Sequence, residues 1–209
     1  MPPPPTLRIS EIFASVQGEG LRQGEPTLFV RTAGCDLRCR FCDTKTAWKG
    51  GAPMTVGDIL GRLARLRERF PAAWVCLTGG EPFLQDIGPL VTALKREGLR
   101  VQVETNGRHY RALEADWRTV SPKPPSYAVS REYRRLAAEV KIIVTRELTF
   151  EVLRRLRGFF PPATPLILQP QSRRKWSAAK GLRLLGGSLR AGLKNIRLMT
   201  QAHKELGLK

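Results

Sequence analysis

Short apolar stretches alternate with amphipathic segments along most of the chain. The apolar stretches are too short for buried helices and are bounded by glycine, proline and polar residues, so they predict strands. The predicted strands are Leu28 to Thr32, Trp74 to Thr78, Leu99 to Glu104, Arg118 to Ser121, Glu139 to Val144, Pro165 to Gln169 and Asn195 to Met199.

The segments between these strands carry helix patterns. The clearest helix begins at Thr55, which forms a capping box with Asp58. Its apolar residues recur on one face, at Val56, Ile59, Leu60, Leu63 and Leu66. A second helix is built on Leu90, Val91 and Leu94, and Gly98 ends it.

Alternating strands and helices predict an α/β fold with a mostly parallel sheet and helices outside it. A closed barrel of eight units usually needs about 250 residues, and this chain has 209. We therefore predict a partial, open βα barrel of about six units.

Polar residues stand where the predicted strands end. Parallel α/β sheets bind ligands at the carboxyl ends of their strands, so these positions predict the functional edge. They are Thr78-Gly79-Gly80-Glu81, Glu104-Thr105-Asn106-Gly107, Ser121-Pro122-Lys123, Lys141 within its strand, and Gln169-Pro170-Gln171-Ser172.

The length and the hydrophobic content of 42% suit one compact domain over residues 1–209, preceded by a proline-rich tail over residues 1–7. The first residues show no basic and apolar signal pattern, and no apolar run is long enough to span a membrane. We expect a cytoplasmic protein with reduced thiols and no membrane contact.

The formal net charge is +18, from 36 basic and 18 acidic side chains. A charge of this size raises the prospect of a nucleic-acid partner. The arginines are spread over several predicted helices, base-stacking aromatics are sparse near them, and no binding module is recognisable. A solvated basic surface is the expected interpretation, without a nucleic-acid partner.

The most specific chemical feature is a C-x₃-C-x₂-C loop formed by Cys35, Cys39 and Cys42. Three thiolates from one short loop can hold three corners of a cubic iron–sulfur cluster and leave one iron open to a small molecule. The fourth cysteine, Cys76, lies in an apolar stretch and is expected to be a buried core thiol.

A structural zinc site is the alternative for the same three cysteines. Such a site needs a fourth ligand and usually shows a second ligand pair downstream. Neither His109 nor His203 has a partner at zinc-finger spacing.

The cysteine loop, with Phe41 before Cys42, resembles the signature of the radical S-adenosylmethionine (radical SAM) superfamily. Further fragments narrow the resemblance to the 7-carboxy-7-deazaguanine synthase family, from about Ile9 to the last residue. These fragments are Gln17-Gly18-Glu19-Gly20, Phe29-Val30-Arg31, Gly34-Cys35, Cys42-Asp43-Thr44, Thr78-Gly79-Gly80-Glu81-Pro82, Ser121-Pro122-Lys123 and His203-Lys204.

The resemblance implies the cofactors and the reaction. A [4Fe-4S] cluster binds SAM through its open iron and splits it to a 5′-deoxyadenosyl radical, which removes hydrogen from C6 of 6-carboxy-5,6,7,8-tetrahydropterin. The ring contracts to 7-carboxy-7-deazaguanine, ammonia leaves and SAM is regenerated. The resemblance also implies Mg²⁺, an external one-electron donor such as a flavodoxin-like protein, and a homodimer.

It further implies roles for individual residues, none of them as a nucleophile, acid or base. Cys35, Cys39 and Cys42 hold the cluster, and Thr44 binds Mg²⁺. Residues implied for SAM are Phe41, Gly80, Glu81, Ser121, Pro122, Lys123, Gln169, Pro170, Gln171 and Ser172. Residues implied for the substrate are Val16, Gln17, Gly18, Glu19, Arg31, Thr78, His203 and Lys209.

Several alternatives stay open. Asp43 either caps a turn or reaches the magnesium ion through water. His203 either binds the substrate or packs as a neutral histidine. Two other functions stay open for the chain. One is a different radical SAM enzyme, which either modifies RNA or generates glycyl radicals on a partner protein. The other is a zinc-dependent RNA-binding module.

Overall fold

A computed structural model describes residues 6–171 and 174–209 of the chain. Its Cα positions divide into two compact units. The first is made of Met1–Gln17, Glu25–Thr105 and Arg111–Trp117, and the second of Gly18–Gly24, Asn106–Tyr110 and Arg118–Lys209. The single domain over residues 1–209 stays a prediction.

The first unit contains an antiparallel edge and a parallel centre. Its elements are β1 (Thr6–Val16), β2 (Pro26–Thr32), β3 (Ala52–Thr55), α1 (Val56–Arg69), β4 (Trp74–Gly79), α2 (Gly88–Arg96) and β5 (Arg100–Thr105). Strand β1 pairs antiparallel with β2 and with β3, whereas β2, β4 and β5 run parallel.

The second unit is built on parallel strands. Its elements are β6 (Trp117–Val120), whose first residue belongs to the first unit, α3 (Tyr133–Leu136), β7 (Glu139–Val144), α4 (Phe150–Phe159), β8 (Leu166–Pro170), α5 (Lys175–Arg190), β9 (Ile196–Leu198) and α6 (Ala202–Glu205). Strands β6, β7, β8 and β9 pair in that order, all parallel.

The predicted fold class is confirmed. In the described part of the chain the sheet has nine strands, is mostly parallel, and is open rather than closed into a barrel. No helix there is both long and apolar enough to cross a bilayer.

Each unit buries the inner residues of its parallel strands. In the first unit Leu28, Val30, Val75 and Leu77 are fully buried, as is Ile59 of α1. Among the described residues of the second unit, the fully buried apolar strand residues are Val120, Val140, Ile142, Val144, Leu166, Ile167 and Leu168. Apolar burial on both faces explains why these strands show as mostly apolar runs in the sequence.

Helix α1 begins as predicted. The Thr55 hydroxyl accepts from the Asp58 N–H at 3.1 Å, and the Asp58 carboxylate accepts from the Thr55 N–H at 3.0 Å, which completes the capping box. Gly98 follows α2 with a φ of +72°, a conformation that glycine adopts without strain.

Strands β1 and β3 were not predicted. Strand β1 mixes charged and apolar residues and stays half-buried from Ser10 onward, and β3 is short and contains Pro53, so neither shows an apolar run. Strand β1 takes in Thr6 and Leu7, which corrects the end of the predicted tail; residues 1–5 lie outside the described residues.

Candidate functional site

The cysteine loop follows β2 in the first unit. Cys35, Cys39 and Cys42 form no disulfide among the described residues, and all three are half-buried. The main chain closes the loop, because the Cys35 N–H donates to the Trp48 carbonyl at 3.2 Å. The Thr44 N–H donates to the Cys42 sulfur at 3.4 Å.

The donor set fits an iron–sulfur cluster by its chemistry. Thiolates are the usual ligands of such clusters, and these three belong to one short loop. Among the described residues no three His, Cys, Asp or Glu side chains are already gathered for a metal ion.

A glycine turn after β4 packs directly on the main chain that leads into the cysteine loop. A side chain at Gly80 would place its Cβ 1.9 Å from the Gly34 carbonyl oxygen, and one at Gly79 would lie 2.2 Å from the Thr32 oxygen. The Glu81 N–H donates to the Gly34 oxygen at 2.7 Å. Only glycines allow this approach, so the turn and the cysteine loop are held together.

The Glu81 side chain turns into its own unit. It is fully buried, and its carboxylate accepts from the Thr105 hydroxyl at 2.7 Å and from the Phe83 N–H at 3.2 Å. A contact with SAM from Glu81 would therefore come from its main chain.

Glu104 at the end of β5 joins two residues implied for the substrate. Its carboxylate accepts from the Gln17 amide at 3.2 Å and from the Thr78 hydroxyl at 3.3 Å. Gln17 also donates to Gln102 at 3.0 Å and lies 4.0 Å from the Cys76 sulfur. Cys76 is buried, which confirms the expected core thiol.

Arg31 lies near the end of β2 with its guanidinium partly engaged. Its Nε donates to Glu11 at 2.7 Å and one terminal nitrogen reaches the Thr44 hydroxyl at 3.5 Å. A guanidinium has five N–H donors. These contacts leave donors that can take a substrate carboxylate.

Thr44 and Asp43 form a local pair. The Thr44 hydroxyl donates to the Asp43 carboxylate at 3.3 Å, so the local hydrogen bonding considered for Asp43 is present. Both oxygens are hard donors of the kind that Mg²⁺ accepts.

In the second unit, the turn Gly18–Gly24 is tied to α6 and to β7. Glu19 pairs with Lys141 and accepts from the Gln201 amide, and the Leu21 N–H donates to Glu139 at 2.7 Å. A side chain at Gly18 would place its Cβ 1.9 Å from His203 Nδ1, so the half-buried imidazole packs on Gly18.

The strand ends of the second unit also carry polar groups. Ser121 donates to the Lys141 carbonyl at 2.7 Å, and the Lys123 ammonium donates to the Ser121 carbonyl at 2.9 Å. Gln169 is 1% exposed, and among the described residues its Oε1 has no hydrogen-bond partner. A buried acceptor without a donor is costly, so a ligand N–H or O–H would complete it.

A family model described as the radical SAM superfamily matches residues 29–161. The 7-carboxy-7-deazaguanine synthase of Aquifex aeolicus is 33% identical over 212 aligned residues, which cover 97% of this chain and 94% of that protein. The chain belongs to the 7-carboxy-7-deazaguanine synthase family of radical SAM enzymes. As a member of this family it is a radical SAM lyase.

Two further proteins agree with this assignment to the 7-carboxy-7-deazaguanine synthase family. The synthase of Synechocystis is 36% identical over 165 residues, covering 78% of this chain and 77% of that protein. The crystal structure of QueE from Escherichia coli has a TM-score of 0.79, 28% identity and 95% coverage of both chains. Membership of this family argues against the alternative of a zinc-dependent RNA-binding module.

Membership of the 7-carboxy-7-deazaguanine synthase family implies a [4Fe-4S] cluster and SAM as cofactors. Among residues implied for SAM, Phe41 is half-buried beside Cys42, Pro122 is buried, and Pro170 ends β8 with Gln171 directly after it. Ser172 lies outside the described residues. Val16 ends β1 half-buried, and Lys209 is exposed.

Several residues that belong to these networks were missing from the predicted site. Among them are Glu104, Glu139, Lys141 and Gln201. Glu104 and Lys141 were noted only as polar residues of predicted strands. For Glu104, the position near the carboxyl end of β5 was the signal that could have included it. Lys141 is the third residue of β7, so its signal was a charge within a mostly apolar strand.

Proposed function

We propose that the chain converts 6-carboxy-5,6,7,8-tetrahydropterin to 7-carboxy-7-deazaguanine and ammonia by radical ring contraction, within queuosine or other 7-deazapurine biosynthesis. The match to the Aquifex aeolicus synthase over 97% of this chain carries the proposal. A shared superfamily domain alone would support only the cofactors.

The proposed cofactor contacts come from the cysteine loop, the glycine turn and the polar strand ends. Cys35, Cys39 and Cys42 would bind the cluster. When bound, the cluster and SAM supply one-electron chemistry that generates a radical for hydrogen abstraction. The main chain of the glycine turn would accept from the SAM amino group, and the buried Gln169 Oε1 would accept from another SAM donor. Ser121, Pro122, Lys123, Pro170, Gln171 and Ser172 complete the proposed SAM contacts.

The proposed role of Arg31 is to take the carboxylate of the pterin. A guanidinium binds a carboxylate through charge-assisted hydrogen bonds, and the pairing with Glu11 on Nε fixes the direction of the group. Thr44 would contribute one neutral oxygen to Mg²⁺, so the substrate carboxylate and water must supply most of the remaining ligands.

The pterin ring would be recognised by polar groups that are already held in place. Gln17 and Thr78 both hydrogen-bond to Glu104, and Glu19 is held by Lys141 and Gln201. Val16, Gly18, His203 and Lys209 are the other proposed contacts. Fixed polar groups favour one orientation of the ring, which a radical reaction needs in order to exclude side products.

The remaining parts of the proposal concern the surroundings of the enzyme. An external one-electron donor, flavodoxin-like or similar, would reduce the cluster. We also propose a homodimer in the cytoplasm. These statements follow from the family alone.

The test is an anaerobic reaction with reconstituted protein, SAM, a chemical reductant, Mg²⁺ and 6-carboxytetrahydropterin, followed by mass spectrometry. We expect 7-carboxy-7-deazaguanine with little net consumption of SAM. Reactions without SAM, or with Cys39→Ser protein, serve as controls and should form no product. Cleavage of SAM by the wild type without that product would overturn the proposed reaction and favour another radical SAM activity.

A further inference from the structure

Two side chains of the second unit hold the carboxylate of Glu19 from different elements. The Lys141 ammonium, on β7, pairs with Oε2, and the Gln201 amide, just before α6, donates to Oε1. Each oxygen of Glu19 thus has a donor that fixes its direction.

The donors are themselves fixed. The Lys141 side chain is 6% exposed and the Glu19 side chain 15%. Gln201 is buried, and its Oε1 accepts from Lys204 at 3.1 Å, so its NH₂ group must face Glu19. Neither donor can turn away from Glu19 without leaving a buried polar group unsatisfied.

The main chain around Glu19 is held in the same way. Glu139, fully buried at the start of β7, accepts from the Leu21 N–H at 2.7 Å and from the Thr119 hydroxyl at 2.8 Å. The Gly18 carbonyl accepts from the Ala202 N–H at 2.9 Å. The turn is therefore fixed on both sides of Glu19.

A buried ion pair contributes little net stability, because removing two charges from water offsets most of their attraction. The Lys141–Glu19 pair is better explained by a need for a carboxylate in one orientation. A carboxylate accepts hydrogen bonds at about four positions, so two orienting bonds do not exhaust it. Such a group suits a ligand edge that presents neighbouring N–H donors, as the amino-pyrimidinone edge of a pterin does.

We infer that Lys141 and Gln201 are positioning residues for pterin recognition, which act by fixing the Glu19 carboxylate before the substrate arrives. The inference rests on the proposed function and adds two residues to it. Pre-organisation of this kind contributes to affinity because the cost of ordering the group is met during folding.

The test is a double-mutant cycle on the reconstituted enzyme with Lys141→Met, Glu19→Gln and the combination. We expect Lys141→Met to raise the KM for the pterin about tenfold or more, with the KM for SAM unchanged. In the Glu19→Gln protein, adding Lys141→Met should change the pterin KM by less than about twofold, since its partner is already altered. Gln201→Leu should follow the same pattern.

Lys194→Met, an exposed lysine of the same unit, is the matched control and should leave both KM values unchanged. Equal effects of Lys141→Met in the wild-type and Glu19→Gln backgrounds would overturn the inference and leave the proposed function standing. A parallel rise in the KM for SAM would also overturn it, because it would show a general structural defect. If the wild type makes no 7-carboxy-7-deazaguanine, the proposed function fails and the inference fails with it.

Discussion

Close approach of two stretches of main chain decides the geometry beside the cysteine loop. The Gly80 position has no room for even a methyl group, because the Gly34 oxygen would lie 1.9 Å from its Cβ. The obstacle is backbone, which cannot rotate away as a flexible side chain can. A substitution at Gly80 would therefore displace the main chain that leads into Cys35.

We predict that Gly80→Ala impairs cluster binding and SAM cleavage. The added methyl must push the Gly34 main chain away, which displaces the cysteine loop. Iron and sulfide analysis after anaerobic reconstitution should show a loss of at least about half of the cluster, and SAM cleavage should fall about tenfold or more.

Gly61→Ala is the matched control for Gly80→Ala. Gly61 lies inside α1 and the nearest atom to its Cβ would be 3.9 Å away. Alanine is a better helix former than glycine, so this variant should keep its cluster and gain about 0.5 to 1 kcal/mol in unfolding free energy. Full cluster content in Gly80→Ala protein would contradict the prediction.

Among individual residues, those in rare sequence motifs could be predicted as site residues from the sequence. A C-x₃-C-x₂-C loop has few uses, and the double glycine marks a turn without side chains. The carboxylates and amides that complete the networks were harder to find. Glu139 and Gln201 are ordinary polar residues in the sequence, and their roles depend on contacts with the turn Gly18–Gly24, far from them along the chain.

At the scale of elements, Asp116 ties the start of β5 to α2. Its carboxylate accepts from the Lys95 ammonium at 2.5 Å and from the Val101 N–H at 2.7 Å. Burial opposes the charged form, but the hydrogen bonds from Lys95 and Val101 hold the pKa of Asp116 below its usual value.

We predict a pH-dependent cost for Asp116→Asn. Because the pKa of Asp116 is lower in the folded state than in the unfolded chain, its stabilisation is present at neutral pH and is lost as the pH falls through the folded-state pKa. The variant should lose about 1 kcal/mol of unfolding free energy at pH 7, and the difference from wild type should narrow towards pH 3. Urea unfolding followed by circular dichroism measures it.

Glu114→Gln, at an exposed position of the same segment, is the control for Asp116→Asn and should match wild type at both pH values. A difference between Asp116→Asn and wild type that stays constant with pH would show that the carboxylate charge does not stabilise this element.

Arg157 anchors the end of α4 in the second unit. Its guanidinium donates to the carbonyls of Thr164 at 2.7 Å and Phe160 at 3.1 Å, and also to that of Pro161. Burial lowers its pKa. The group replaces its lost water with carbonyl oxygens, so it holds the segment between α4 and β8.

We predict that Arg157→Met costs about 3 kcal/mol of unfolding free energy, because several buried carbonyls lose their donor. Arg154→Met is the control: Arg154 is exposed and pairs only with the exposed Glu151 among the described residues, so its loss should cost less than about 0.5 kcal/mol. Equal unfolding midpoints for the two variants would contradict this account of Arg157.

Whether a strand could be predicted from the sequence depends on how that strand is buried. Strands buried on both faces carry mostly apolar residues, and β7 was predicted with its observed bounds although it contains Glu139 and Lys141. Strand β1 stays half-buried over most of its length, and β3 pairs with β1 alone in the described residues. Backbone hydrogen bonds to neighbouring strands hold β1 and β3 in place. Such bonds put little constraint on the pattern of apolar and polar side chains.

At the scale of the whole molecule, the fold class followed from the alternation of strands and helices and from a length too short for a closed barrel. The division into two compact units did not, because chain segments interleave: the turn Gly18–Gly24 belongs to the second unit although β1 and β2 on either side belong to the first. The amino-acid composition cannot show that a short turn belongs to a different unit from the strands on either side of it.

For the whole molecule, we propose that three cysteines of one loop hold a cluster with one iron open to SAM. The most direct measurement is iron and sulfide analysis, with electron paramagnetic resonance of the reduced protein before and after SAM is added. Wild type and Cys76→Ala should each bind about four iron and four sulfide, with a spectrum that changes when SAM binds. Cys39→Ala protein should bind no cluster and should show no spectral change when SAM is added. A wild type without a cluster, or a spectrum indifferent to SAM, would contradict the account.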